Sequence, residues 1–263
     1  VYNSNLNTLT DNCLKLISFY NSETNRLINA LGQNNNLVAS HFVDKDETKL
    51  KWDEALFKYA QKGKELQFEP KTIVDAIYRP YFKQHLYFNK ELNWSRYLMP
   101  SFFPKGHDNI AICVNGSAGQ KEFSVSITSH IVDRSSIGAG QCFPLYWYEE
   151  NKNPQATLFD DAETDKYIRR DGITDWILKE VRSRFGGSKA ITKEHIFYYV
   201  YGLLHSRQYR ERFVDDLKKS LPRIPIVDNV QDFMSFYKAG KELADLHLNY
   251  EQNINEQAVR QDG

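Results

Sequence analysis

Cysteine is scarce in this chain, and so are the spacings that would give it a structural task. Three cysteines occur in 263 residues, Cys13, Cys113 and Cys142, far apart and without a CxxC pair. The seven histidines do not cluster at ligand spacing. A disulfide framework and a structural zinc site are therefore not expected, and a reducing cytoplasm fits. No apolar run approaches the length of a membrane span, and no signal peptide heads the chain. The catalytic signatures are missing too: GxxxxGK[ST], GxGxxG, HExxH, GxSxG and the Asn/Asp-Pro-Pro-Tyr tetrapeptide of amino-methyltransferases. The chain opens on Val1 rather than methionine, which reads as a piece of a longer polypeptide.

Net charge is absent as well, with 34 basic and 34 acidic residues. That is not the footprint of a nucleic-acid binder. The charge is nevertheless uneven. Residues 58–107 hold nine Lys/Arg against four Asp/Glu, and residues 166–224 hold fourteen against seven. Acidic stretches separate them, with one against six over 149–165 and three against seven over 225–263. A basic face on a neutral protein is one reading, and ordinary surface scatter is the plainer one.

What is present supports a packed core: 41% of the chain is apolar and 14% aromatic. After Thr8 as N-cap, Leu9, Cys13, Leu16, Ile17, Tyr20, Leu27, Ile28 and Leu31 follow the helical period to Gly32. Residues 51–62 predict a second amphipathic helix. Residues 70–77, PKTIVDAI, read as a short helix with proline in its first turn. Short β-type runs follow at 85–89, 109–114, 122–128 and 142–148, separated by turn clusters. Residues 149–163 read as an exposed acidic connection. Helices are expected over 164–185 with a break at Gly172, over 193–205 and 207–220, and over about 230–249. The expected fold is α+β: a helical lead-in (1–77), a β-rich centre with long loops (78–150) and a helical C-terminal part (151–263).

The stretch YVYGLLHSRQYRERFVDDLKKSLPRIP (199–225) contains a short turn at His205-Ser206 that resembles a helix-turn-helix. Its first helix is apolar over too much of its circumference to be other than core. Ser206 caps the second helix, which buries Tyr209, Phe213 and Leu217 and exposes Arg207, Arg210 and Arg212. Two packed scaffold helices are the plainer reading. His205 has no nucleophile or carboxylate nearby and reads as a capping or core histidine.

Two constellations could carry function. Asp133, Glu150 and Lys152 have an acid–acid–lysine pattern that could hold Mg²⁺ for phosphodiester cleavage, although patterns this short recur by chance. The polar loops hold arginine, amide and aromatic side chains in alternation: Arg79, Lys83 and Gln84, then Asn93, Trp94 and Arg96, then His130, Arg134 and Ser135. Arginine grips guanine bidentately, asparagine and glutamine grip adenine, and lysine and serine suit phosphates. For any one of these residues, stacking on a core aromatic or capping a carbonyl is the more economical role.

The order VYN (1–3), FYN (19–21), YRPYFKQHLYF (78–88), FPLYWY (143–148), YVYGLLHSRQYRERFVDDLKKSLPRIP and AGKELADLHLNYE (239–251) is distinctive. It resembles the C-terminal region of the single-polypeptide Type I (Type ISP) restriction–modification enzymes, over nearly the whole chain. The resemblance implies a target-recognition domain that is non-catalytic by itself. Its partners would be double-stranded DNA and the methyltransferase and helicase domains of the same polypeptide. S-adenosylmethionine, ATP and Mg²⁺ would belong to those other domains, and no cofactor to this chain. Recognition sequences differ between members of such families, so base contacts are expected in the loops at 90–97, 115–121 and 129–138. The DNA-facing set is then Arg79, Lys83, Gln84, Asn93, Arg96, Asn115, Lys121, His130, Arg134, Ser135, Arg207 and Arg210. Arg79 and the YGLLHS block are expected to be structural or phosphate-facing. A non-catalytic docking domain, with helix 8–31 as its apolar patch, is the remaining alternative.

Overall fold

A computed structural model describes residues 1–33, 37–93, 95–115, 122–136, 138, 140–151 and 166–252. The chain divides into two compact units, 1–76 with 83–97, and 77–82 with 98–263. A run of helices, then mostly short antiparallel strands, then a second run of helices follow one another, as in an α+β chain.

The first unit is organised by one long helix, α1 (Leu6–Leu31). Its N-cap is Asn5, whose side chain accepts from Thr8 N at 3.0 Å, so Thr8 lies inside the helix rather than at its cap. Leu9, Cys13, Ile17, Tyr20 and Leu27 form the buried stripe, each essentially solvent-free. Burying each aliphatic side chain contributes roughly 1.5–3 kcal/mol. Asp53 caps α3 (Glu54–Gln61) by accepting from Leu56 N at 2.8 Å. Trp52 lies between Tyr20 and Phe57, at ring separations of 5.5 and 5.3 Å. A short turn, α2 (Ala39–Phe42), precedes α3. Polar side chains tie the loops to α1: Tyr20 Oη donates to Lys64 O at 3.0 Å, and Asn21 Nδ2 to Leu66 O at 2.9 Å.

Residues 70–77 are not the expected helix. Pro70–Thr72 make a single 3-10 turn, and Ile73–Arg79 form a strand, β2. Proline suits a first helical turn, but Ile73, Val74, Ile77 and Tyr78 are β-branched or aromatic and prefer a pleated surface. A tight turn at Pro80-Tyr81 leads into β3 (Phe82–Tyr87). Tyr81 takes the left-handed conformation, φ 57°. The edge strand β1 (Tyr2–Asn3) pairs antiparallel with β3, Tyr2 opposite Leu86 and Asn3 opposite His85.

The second unit has a three-stranded antiparallel sheet in the order β5 (Val125–Thr128), β4 (Ala111–Val114), β7 (Gln141–Pro144). Its register sets Cys113 directly opposite Cys142. A one-turn helix, α4 (Met99–Phe102), precedes it, and β6 (Ile131–Val132) follows β5. The run 142–148 is two strands rather than one. The chain breaks at buried Leu145 and continues as β8 (Tyr146–Glu150), which pairs with β9 (Tyr167–Asp171). β9 falls where a helix was expected. Among the described residues the α-helix of that range is α5 (Asp175–Arg184), capped by Thr174. The acidic connection expected at 149–163 lies mostly outside the described residues.

α6 (Lys193–His205) is the core helix, with a capping box between Thr192 and His195. It packs on α9 (Val230–Leu248), and the two backbones meet at Gly202 and Gly240. A Cβ on Gly202 would strike the Phe236 carbonyl, and one on Gly240 the Tyr198 carbonyl, so glycine is required at both. Ser206 caps α7 (Arg207–Arg212), its hydroxyl accepting from Tyr209 N. The expected helix to residue 220 is interrupted at Phe213, after which one turn, α8 (Val214–Leu217), completes it. Tyr209 and Leu217 are buried, as their spacing predicts. No helix among the described residues is long and apolar enough to cross a membrane.

Candidate nucleic-acid interface

The polar residues of the loops divide by what their side chains already hold. Asn115 ends β4 as a clamp. Its Nδ2 donates to Glu122 O at 2.8 Å and its Oδ1 accepts from Ser124 N at 2.9 Å. Both ends of the amide are engaged by the backbone that leads into β5. Asn93 is similar: its Nδ2 donates to Tyr87 O and Asn89 O, both at 2.9 Å. These two amides hold loops in shape. His130, in the tight turn before β6, is half-buried, with Nδ1 2.9 Å from Ser129 Oγ.

Arg134 and Ser135 are exposed in the turn after β6. Asp133 builds that turn, its carboxylate accepting from Ser135 N at 2.8 Å and its own N–H donating to Ile77 O at 2.9 Å. Arg79 is exposed at the end of β2, with its guanidinium 4.2 Å from the Tyr78 ring centroid and Nη1 donating to Tyr78 O at 2.8 Å. Arg96 is half-buried, its guanidinium 5.4 Å from the Phe88 ring. Lys83 and Gln84 are half-buried on β3. Lys121, Lys152 and Trp94 lie outside the described residues.

The arginines of the helical block separate sharply. Arg207 is exposed and pairs with Glu211 one turn on, at 2.6 Å. Arg210 is half-buried, and its Nε donates to Leu204 O at 2.7 Å, closing the last turn of α6. Burial holds the Arg210 guanidinium below its ordinary range. Its Nη2 stands 3.5 Å from His205 Nδ1, which makes that nitrogen the acceptor and puts the ring proton on Nε2. That Nε2 is buried and has no hydrogen-bond partner among the described residues. Burial, reinforced by Arg210 and His247, lowers the His205 pKa from 6.5 to about 4. His205 is thus a neutral core histidine, as the sequence indicated.

Arginines of β9 that sequence reasoning passed over are also exposed. β8 and β9 carry Arg169, whose guanidinium lies 4.4 Å from the Tyr146 ring, and Arg170, ion-paired with Glu149 at 3.1 Å. Trp147, Tyr148, Glu149 and Tyr167 line a cleft of about 650 Å³ beside Pro100 and Ser101. Tyr97 is 70% exposed and adopts φ 48°, a strained choice for an aromatic residue. The run YIRRD (167–171) has no alternation of its own to mark a strand, and by sequence it reads as part of a helix.

The family model of the Type ISP C-terminal specificity domain matches residues 1–263. The chain belongs to this family. Among solved structures, it is similar to a DrdV–DNA complex, at 30% identity and TM-score 0.80 over 95% of this chain and 22% of that one. A nuclease-deletion mutant of the Type ISP restriction–modification enzyme LlaGI, in complex with a DNA substrate mimic, is 31% identical with TM-score 0.74 over 95% and 21%. The ATP-dependent Type ISP enzyme LlaBIII bound to DNA is 28% identical with TM-score 0.74 over 95% and 15%. This Type ISP chain therefore spans about a fifth or less of those enzymes' length. No curated protein matched it.

Proposed function

We propose that this chain reads the DNA target for a restriction–modification enzyme. Adenine N6-methylation and ATP-driven translocation and cleavage would be carried out elsewhere in the same polypeptide. The observation that carries this reading is the specificity-domain match across all 263 residues, joined to DNA-bound structural neighbours that cover 95% of the chain. In this reading S-adenosylmethionine, ATP and Mg²⁺ bind the other domains, since the phosphate-loop and Asn-Pro-Pro-Tyr signatures are missing here.

In this reading the turn bearing Arg134 and Ser135, both exposed, contacts base edges. Arg79, Arg96, Lys83 and Gln84 supply phosphate contacts, which position the duplex without reading it. Asn93, Asn115 and Arg210 support the loops and the helix end instead, because their donors are engaged internally. Leu6, Leu14 and Ile28, each at least 37% exposed on α1, make the face that docks on the methyltransferase domain. A nuclease built on Asp133, Glu150 and Lys152 is not favoured: Asp133 Oδ1 braces its own turn, and no metal-holding acid cluster occurs among the described residues.

The test is selection of bound sites from random duplex DNA with the intact polypeptide. One short sequence should be enriched, and log K should fall by roughly 0.9 per log salt for each phosphate neutralised. Recovery of unselected sequence with salt-indifferent binding would sink the reading.

A further inference from the structure

The cysteines are separated widely in sequence, yet the sheet brings two of them together. β4 and β7 run antiparallel, and their register places Cys113 opposite Cys142. Directly opposed residues on antiparallel strands have Cα atoms about 4.5 or 5.5 Å apart, depending on the pair type. Both separations fall within the ~4.4–6.8 Å that a disulfide spans. The sulfur atoms are 2.9 Å apart, so both side chains turn to the same face. Closing the bond to ~2.05 Å needs under about 1 Å of movement, with no change of register. Cys113 is buried, 1% exposed, and Cys142 is half-buried.

We propose that Cys113 and Cys142 are an oxidisable pair that closes to a cross-strand disulfide when a peroxide reaches Cys142. The chemistry balances in two steps. The Cys142 thiol takes one oxygen from hydrogen peroxide, giving a sulfenic acid and one water. The Cys113 sulfur then attacks Cys142 Sγ. An S–S bond forms, the S–O bond breaks, and the hydroxide leaves with the Cys113 proton as a second water. The peroxide is reduced by two electrons and the two thiols are oxidised by two. The division of labour follows from burial: the half-buried sulfur meets the oxidant, and the buried one resolves the intermediate without reaching solvent. The hydrogen bond with the Cys142 thiol, reinforced by burial, pushes the Cys113 thiol well above the usual thiol range. Cys113 therefore does not meet peroxide first. Cys13 lies in the core of the first unit, 0% exposed, and serves as the internal control.

The experiment treats the intact polypeptide with hydrogen peroxide, blocks remaining thiols with N-ethylmaleimide, digests with trypsin and reads the peptides by mass spectrometry. The peptides 106–121 and 135–152 should appear as one linked species, two hydrogens lighter than their sum and released by a thiol reductant. Cys13→Ser should leave that species intact, and Cys142→Ala should abolish it. The wild-type linkage is itself the readout, so a variant that fails to fold does not decide the matter. The proposal is overturned if the two peptides are recovered separately, alkylated or carrying sulfinic acid at Cys142. It is equally overturned if Cys142 is found joined to Cys13 or to a second copy.

Discussion

The helix pair α6 and α9 and the turns at the edge of the sheet use polar side chains in opposite ways. Around α6 they point inward. Tyr199 Oη donates to Pro225 O at 2.6 Å, Tyr209 Oη to Arg223 O at 2.8 Å, and Arg210 Nε to Leu204 O at 2.7 Å. Tyr201 Oη meets His247 Nδ1 at 2.6 Å. In the turn after β6 the backbone is satisfied by Asp133, and Arg134 is left to solvent. Arginine thus has two roles within one unit. What separates them is whether a carbonyl lies within reach of the guanidinium in a place water does not enter.

The largest effect is expected where the helix backbones touch. Gly240→Val drives two methyl groups and a Cβ against the Tyr198 carbonyl, and neither helix can retreat without opening the core. The domain should lose roughly 3 kcal/mol or more. Thermal unfolding of the polypeptide checks it. A variant with the parent's midpoint would show that the helical half is not the rigid member of the pair.

Acid should act next. The His205 pKa is lowered from 6.5 to about 4 in the fold, so the unfolded chain binds the proton more readily. Stability is then fully present above pH 6.5 and is lost as pH falls toward 4. His247, also lowered by burial, has the same sign. The groups facing His205 are Tyr201, Arg210 and His247, and none is an acid that would favour its charged form. The shift corresponds to ~3 kcal/mol, and discounted for partial exposure it is about 2 kcal/mol. Urea midpoints measured between pH 7 and 4.5 should fall steeply in the parent and less steeply in His205→Gln.

Arg210→Ala follows, at about 1.5 kcal/mol, because Leu204 O loses a charged donor and the end of α6 opens. Its DNA affinity per folded molecule and its salt slope should match the parent. Unfolding curves paired with salt titrations test both. A reduced salt slope would move Arg210 from the scaffold to the interface.

Much of the helical half was legible because its signals are local. The apolar stripes of α1 and α6 and the Ser206 cap need only a few neighbouring residues to be seen. The strands were less legible, since a strand is decided by its partner. YIRRD pairs with the preceding strand Tyr146–Glu150 across a connection, and nothing within its own window shows that. PKTIVDAI failed for a local reason: one favourable proline outweighed four residues that prefer strand. The candidate site suffered in the same way. Asn93, Asn115 and Arg210 have the chemistry of DNA contacts, and the bonds they make to carbonyls four to seven residues away are decided by loop and helix-end geometry that residue type alone does not show.

The smallest change in stability is expected for two exposed arginines, and that makes them the sharpest pair. Arg207 forms an i,i+4 pair with Glu211 on an exposed helix face, a contact of about 0.3–0.5 kcal/mol. Arg134 sits in an exposed turn. Alanine at either should move the unfolding midpoint by less than ~0.5 kcal/mol. On DNA they should part. Arg134→Ala should lose roughly 1–3 kcal/mol of discrimination at one base position if it reads an edge. If it holds a phosphate, it should lose about one unit of salt slope at every sequence. Arg207→Ala should do neither, because Glu211 already neutralises its charge and the helix face around it is mixed in sign. Competition binding against single-base variants of the selected site, at two salt concentrations, separates these outcomes. If Arg207→Ala matches Arg134→Ala in that assay, the helical face belongs to the interface and the division between scaffold and reader fails.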